Sequence, residues 1–306
     1  MRVSTSMIFS QGLTNLQQQQ TSILTAQQQI ATGVKLTNPA DDPVAFSTAS
    51  NLSVLISKQN QYSTNIDNAT GKISVQESTL GSMTGILQSI RDAAIQVNNA
   101  ANDPTSRAAL ADQITQLRNA LASQMNATDE RGEYLFSGTA AKQTPYNSSG
   151  VLNPAVAAAT PVGLQIADGQ SVTINTPATG LFQLSNSATT GGNASILQVL
   201  DQLTSAITNQ PANVQTVYQT AQQDIDTVMN QITNARGSMG NALNVLTTAK
   251  SNNSAESVIN QQTLSNLRDT DLASAITKLN QSYTNLQATQ MSMVKIQGLS
   301  LFNYMR

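Results

Sequence analysis

The sequence predicts a mainly α protein with a small β insertion, in which long antiparallel coiled-coil helices form an elongated rod and the N- and C-terminal helices pair. Three observations carry this. Apolar residues recur at a 3–4 spacing over several heptads on both sides of the middle of the chain. Four of the 8 prolines and eight of the 16 glycines fall between Gly132 and Gly192, one fifth of the 306 residues. Both ends repeat the helical pattern by themselves, with Gln at positions where an apolar residue is expected.

The first seam is Phe9, Leu13, Leu16, Gln20, Ile23, Gln27, Ile30 and Val34. Asp42-Pro43 then places a side-chain acceptor at an N-cap and a proline at the first helical position, where no amide is wasted. From Leu52 a second seam runs through Leu55, Gln59, Tyr62, Ile66, Ala69, Ile73, Gln76, Leu80, Met83, Leu87, Ile90, Ala94 and Val97 without a slip. At 1.5 Å per residue such a helix spans about 70 Å, too long for a compact domain of this size. Asp103-Pro104 opens a shorter helix over Leu110, Ile114, Leu117 and Leu121, with Thr128 at its end.

In the insertion, residues 162–168 and 171–176 read as two strands around an Asp168-Gly169-Gln170 turn, with 181–184 as a third. A helix from Ile196 to Ile207 ends before Pro211. The long seam returns as Val214, Tyr218, Ala221, Ile225, Val228, Ile232, Ala235, Met239, Ala242, Leu246 and Ala249. The last seam is Leu272, Ile276, Leu279, Tyr283, Leu286, Gln290 and Met293. Polar residues on a seam fix register and lower stability, so the terminal helices are expected to be marginal in the free chain and to order on packing.

Charged residues make up 10% of the chain, with no His and no Cys, against roughly a quarter in ordinary domains. Without imidazole or thiol, the Ser-His and Cys-His nucleophile systems and the usual zinc sites are excluded. A net charge of -2 gives no footprint for nucleic acid. No apolar run reaches the ~20 residues of a membrane span, and Gln and Asn in place of Lys and Arg disfavour a membrane-surface helix. MRVSTSMIFSQG lacks a signal-peptide core, so export, if any, is expected by another route. Neither a cofactor nor catalytic residues are expected. Ser292 and Lys295 fit S-x-x-K, but its companion motifs are absent. Asp224 and Asp226, two apart on a helix, point away from each other and cannot share a metal.

What remains is surface for association. Phe9, Leu13, Leu16, Ile23, Ile30, Leu279, Tyr283, Leu286, Met293 and Phe302 are the expected assembly residues, because two narrow terminal stripes have only each other within the chain. The cluster Asp129, Glu130, Arg131 and Glu133 and the loop carrying Asp41 and Asp42 are candidate contacts between subunits.

The stretch QQQIATGVKLTNPADDPVAFSTA (27–49) resembles the flagellin superfamily, as do ARGSMGNALN (235–244) and LSNLRDTDLASAITKLNQ (264–281). Pro43-Val44-Ala45 after the Asp pair, RGEYLFSG (131–138) and the ending GLSLFNYMR (298–306) are most similar to the branch that joins the flagellar hook to the filament. Flagellin itself, the filament subunit, is the alternative. The resemblance implies three layers: residues 1–43 with 265–306 as a terminal coiled coil, disordered in the monomer, 44–135 with 193–264 as a helical rod, and 136–192 as an outer β domain. It also implies a structural, non-enzymatic role outside the bacterial cell, reached through type III export. The implied partners are copies of itself in a ring, hook-associated protein 1, flagellin, and an export chaperone on the C-terminal segment.

Overall fold

The computed structural model describes residues 5–97 and 103–304, with side chains at 7, 10–97 and 103–295. Among these residues the order is α1 (Thr5–Thr32), α2 (Pro43–Val97), α3 (Pro104–Met125), α4 (Pro154–Ala157), β1 (Gly163–Ala167), β2 (Gln170–Thr173), α5 (Thr179–Phe182), β3 (Gln183–Ser187), β4 (Gly192–Ser195), α6 (Ile196–Asn209), α7 (Val214–Arg268) and α8 (Leu272–Tyr304). The chain divides into a terminal unit, Met1–Lys58 with Glu256–Arg306, and a central unit, Gln59–Ala255.

In the central unit α2 and α7 run antiparallel. Their cross-helix partners fix the register: Arg91 with Asp226 at 3.0 Å, Glu77 with Arg236 at 2.6 Å, Asp67 with Lys250 at 2.6 Å, and the Gln59 carbonyl with the Asn253 amide at 2.9 Å. As the α2 number falls the α7 number rises. The three ion pairs, each more than a third exposed, contribute only about 0–1 kcal/mol each, so they select register while the apolar seam supplies the stability. From Gln59 to Val97 every expected α2 seam residue is buried, as is the α7 stripe from Tyr218 through Ile232 to Ala249, with Val214, Ala235 and Ala242 partly covered.

The α2 seam departs from expectation at its start, inside the terminal unit. Ala49 is buried and Leu52 and Ile56 are partly covered, while Leu55 is exposed. The buried stripe there is one residue out of step with the heptad count, because a straight helix drifts against a strict 3.5 repeat.

Helix α3 ends at Met125, short of Thr128, which instead bridges to Tyr134. It packs on α6, where Arg118 reaches Asp201 at 2.8 Å. The capping box of α6 uses Ser195 and Gln198, and the helix closes on Gln210 in the left-handed region before Pro211.

The insertion holds two antiparallel hairpins, β1–β2 and β3–β4. β1 and β2 form the expected hairpin, with Gly169 in its turn at φ +70, but β2 starts at Gln170, inside the expected turn, and ends at Thr173, short of the expected 176. The third strand is displaced: Leu181 and Phe182 complete α5, and β3 starts at Gln183. Both side chains are fully buried, and consecutive residues of a strand face opposite sides, so a helical turn is the conformation that buries both. β4, GNAS, has no strand-forming side chain; its pairing is imposed by β3. Phe182 stacks edge-on against Phe136 at 5.4 Å and Tyr146 at 6.3 Å. Burial pushes the Tyr146 phenol well above its ordinary range.

Candidate assembly surface

Helix α1 has no charged residue between Thr5 and Thr32, and Leu272–Tyr304 of α8 carries only Lys278 and Lys295. The two pair antiparallel. Met293 lies over Gly12, Gln27 donates to the Tyr283 hydroxyl at 2.8 Å, and Thr270 N donates to the Gly33 carbonyl at 2.9 Å. The contact is narrow: Ile23, Ala26, Ala275 and Ser282 are its buried residues among those described.

Of the ten expected assembly residues, Ile23 is buried in this pair, and Leu16, Ile30, Leu279, Leu286 and Met293 are partly covered by it. Leu13 and Tyr283 remain 47% and 41% exposed. The side chains of Phe9 and Phe302 lie outside the described residues. Sequence periodicity missed Met7, Leu24, Met291 and Val294, each about two-thirds exposed. The available signal was their position off the seam of helices that have almost no charge.

The polar side chains here leave little unsatisfied. Thr14, Thr21 and Thr25 return their hydroxyl protons to carbonyls one turn back, so the outward polar groups are mainly Gln amides. Such a face presents apolar area and neutral hydrogen-bonding groups without the desolvation cost of a charge. Burying the exposed part of one large apolar side chain against a neighbour is worth roughly 1 kcal/mol.

The turns that return α1 and α8 to the long helices are stitched together. Gly33 ends α1 at φ +71, Val34 pairs with Asp269, Lys35 N donates to the Arg268 carbonyl at 2.7 Å, and Lys35 Nζ to the Asn266 carbonyl at 2.7 Å. Asp41 accepts from the Asn38 amide at 3.1 Å, and Asp42 caps α2 by accepting from Val44 and Ala45 amides. Asp271 caps α8 in the same way, a cap the sequence reading passed over.

At the entry to the insertion, Asp129 accepts from the amides of Arg131 at 2.9 Å and Glu133 at 3.0 Å and lies 3.7 Å from Lys72. Burial pushes its pKa up, but these amides with Lys72 and Arg131 outweigh that and hold it below its ordinary range. Glu130 and Arg131 are exposed. Lys72 was invisible in the sequence because its acidic partners stand some sixty positions away. Asp224 and Asp226 part as their spacing requires: Asp224 is buried against the β3–β4 turn, and Asp226 faces Arg91. Ser292 and Lys295 are exposed on α8.

Comparison with known proteins gives two family matches, the bacterial flagellin N-terminal helical region over residues 3–141 and the bacterial flagellin C-terminal helical region over residues 222–305. The chain is 29% identical to flagellar hook-associated protein 3 of Escherichia coli K12, covering 99% of both chains. It is 26% identical to the protein of that name from Salmonella typhimurium LT2 over the whole of both. Among solved structures, a putative flagellar hook-associated protein from Vibrio parahaemolyticus matches with a TM-score of 0.67 at 24% identity, over 75% of this chain and all of that one.

Proposed function

The chain belongs to the bacterial flagellin family, and from that premise we propose that it is the structural subunit joining the flagellar hook to the filament. The carrying observation is its likeness, end to end, to two hook-associated proteins 3. The exposed apolar residues of α1 and α8 supply a mechanism. Leu13, Leu24, Met291 and Val294 are buried against neighbouring subunits as the ring forms, and the scarcity of charge leaves little repulsion between identical copies.

The work is association coupled to ordering, with no covalent step. In the free subunit the terminal segments, with only a narrow seam between α1 and α8, are marginal or disordered; in the assembly, residues 1–43 and 265–306 order into a continuous inner layer. Residues 44–135 with 193–264 form the helical layer around it, and 136–192 the outer β domain. The partners are copies of the chain in a ring, hook-associated protein 1 on the hook side, flagellin on the filament side, and a chaperone that holds the C-terminal segment before type III export to the cell exterior.

Leu13→Asp tests the surface. The variant should stay folded by circular dichroism yet fail to assemble or restore motility; normal assembly would remove α1 from the interface. Deleting the gene separates this reading from flagellin. Intact hooks with unassembled flagellin released into the medium are expected, whereas disappearance of flagellin itself from the culture would identify the chain as the filament subunit.

A further inference from the structure

A cavity of about 260 Å3 lies in the central unit between α2, the segment around Asp129–Ala141 and the start and end of the β1–β2 hairpin. Leu135, Val162 and Ile174 give it an apolar side. On the polar side Lys72 Nζ stands 2.7 Å from Glu133 and 3.7 Å from Asp129, so two carboxylates share one ammonium. Arg131, 3.9 Å from Asp129, is 64% exposed in its side chain and does not line the cavity. The groups that line the cavity thus sum to one negative charge, with Arg131 paired to Asp129 from outside it.

Gln76 is the second, independent feature. It is 1% exposed on the α2 seam and lines the cavity, and its Nε2 donates to the Leu135 carbonyl at 2.7 Å. Its Oε1 is buried with no hydrogen-bond partner. An unpaired buried acceptor is costly, and Leu, the residue type at the next seam position, would avoid that cost. The groups on offer are thus a lone acceptor and surplus carboxylate beside an apolar wall, which calls for a donor-rich cation with weakly hydrated faces. A guanidinium has five N–H donors in a plane and tolerates apolar contact better than an ammonium.

We propose that this cavity is a binding site for a guanidinium group, donating to Gln76 Oε1 and to the Asp129–Glu133 carboxylates. The same chemistry is presented by a free guanidino solute and by an arginine side chain of a neighbouring subunit.

The test titrates the full chain with ethylguanidinium chloride, following amide resonances of residues 72, 76 and 129–135, with neutral N-ethylurea as the isosteric control. Saturable binding of ethylguanidinium alone is expected, weakened about tenfold or more by Glu133→Gln and by Gln76→Leu, each of which removes a charge-assisted or otherwise unmet hydrogen bond. Glu133 is only partly buried, so its variant gives the answer even if Gln76→Leu does not fold by circular dichroism. Absence of saturation, equal binding of N-ethylurea, or unchanged affinity in Glu133→Gln would overturn the site. Repeating the titration on assembled material separates the sources: exclusion of the probe means that a neighbour's arginine fills the cavity, and retained binding means a free solute does.

Discussion

At the scale of single residues, several carboxylates of this chain act on backbone amides. Asp103 caps α3 by accepting from the Ser106 amide at 2.6 Å, and that bond holds its pKa below the ordinary 3.8. A carboxylate depressed in the folded state stabilises above its unfolded value and loses that contribution as pH falls through the folded value. The melting temperature should therefore drop as pH is lowered below about 4. Asp103→Asn should flatten part of that dependence with little change at neutral pH, since Asn caps nearly as well. Asp224 holds the β3–β4 turn through the Ser187 hydroxyl at 2.6 Å and the amides of Ala188 and Thr189. Asp224→Ala strands all three donors and should cost about 2–4 kcal/mol in thermal or denaturant unfolding. Asp224→Asn, which retains an acceptor, should cost less.

At the scale of elements, the long helices depend on their seam. Leu80 of α2 and Ile232 of α7 are fully buried; truncation to Ala should cost about 2–5 kcal/mol each. Loss of the exposed Arg91–Asp226 pair, by contrast, should stay within about 1 kcal/mol. Equal effects from the two kinds of substitution would mean that ion pairs, rather than packing, hold α2 to α7. The α1–α8 pair lacks comparable support, because small or polar residues occupy much of its buried contact: Ala26, Ala275 and Ser282 beside the single large Ile23.

At the scale of the whole molecule, this contrast divides the chain. Only four of the 32 charges lie in residues 1–40 and 279–306, and none of those is acidic. Limited proteolysis of the free chain should remove segments of Met1–Lys58 and Glu256–Arg306 first and leave a helical fragment close to Gln59–Ala255. A fragment pattern cut first inside 136–192 would reverse that order of local stability. The exposed apolar residues and the missing charge thus place association and weak autonomous stability in the same unit.

The sequence by itself determined the helical seams, the Asp-Pro caps, the first hairpin and the family, because periodicity, capping and turn formation act over a few residues. Tyr62 to Val97 are buried where the 3–4 spacing placed them, as is the seam from Tyr218 to Ala249 except at Ala235 and Ala242, which are partly covered. Tertiary structure alone decided the rest. β4 has no strand propensity and exists because β3 offers it a ladder. Leu181 and Phe182 became a helical turn in which both are fully buried, Phe182 against Phe136. Lys72 met Glu133, and Gln76 met the Leu135 carbonyl, across separations of about sixty residues that no local pattern encodes. Pairings of that range are set by which surfaces meet as the core closes, and that depends on the whole chain at once.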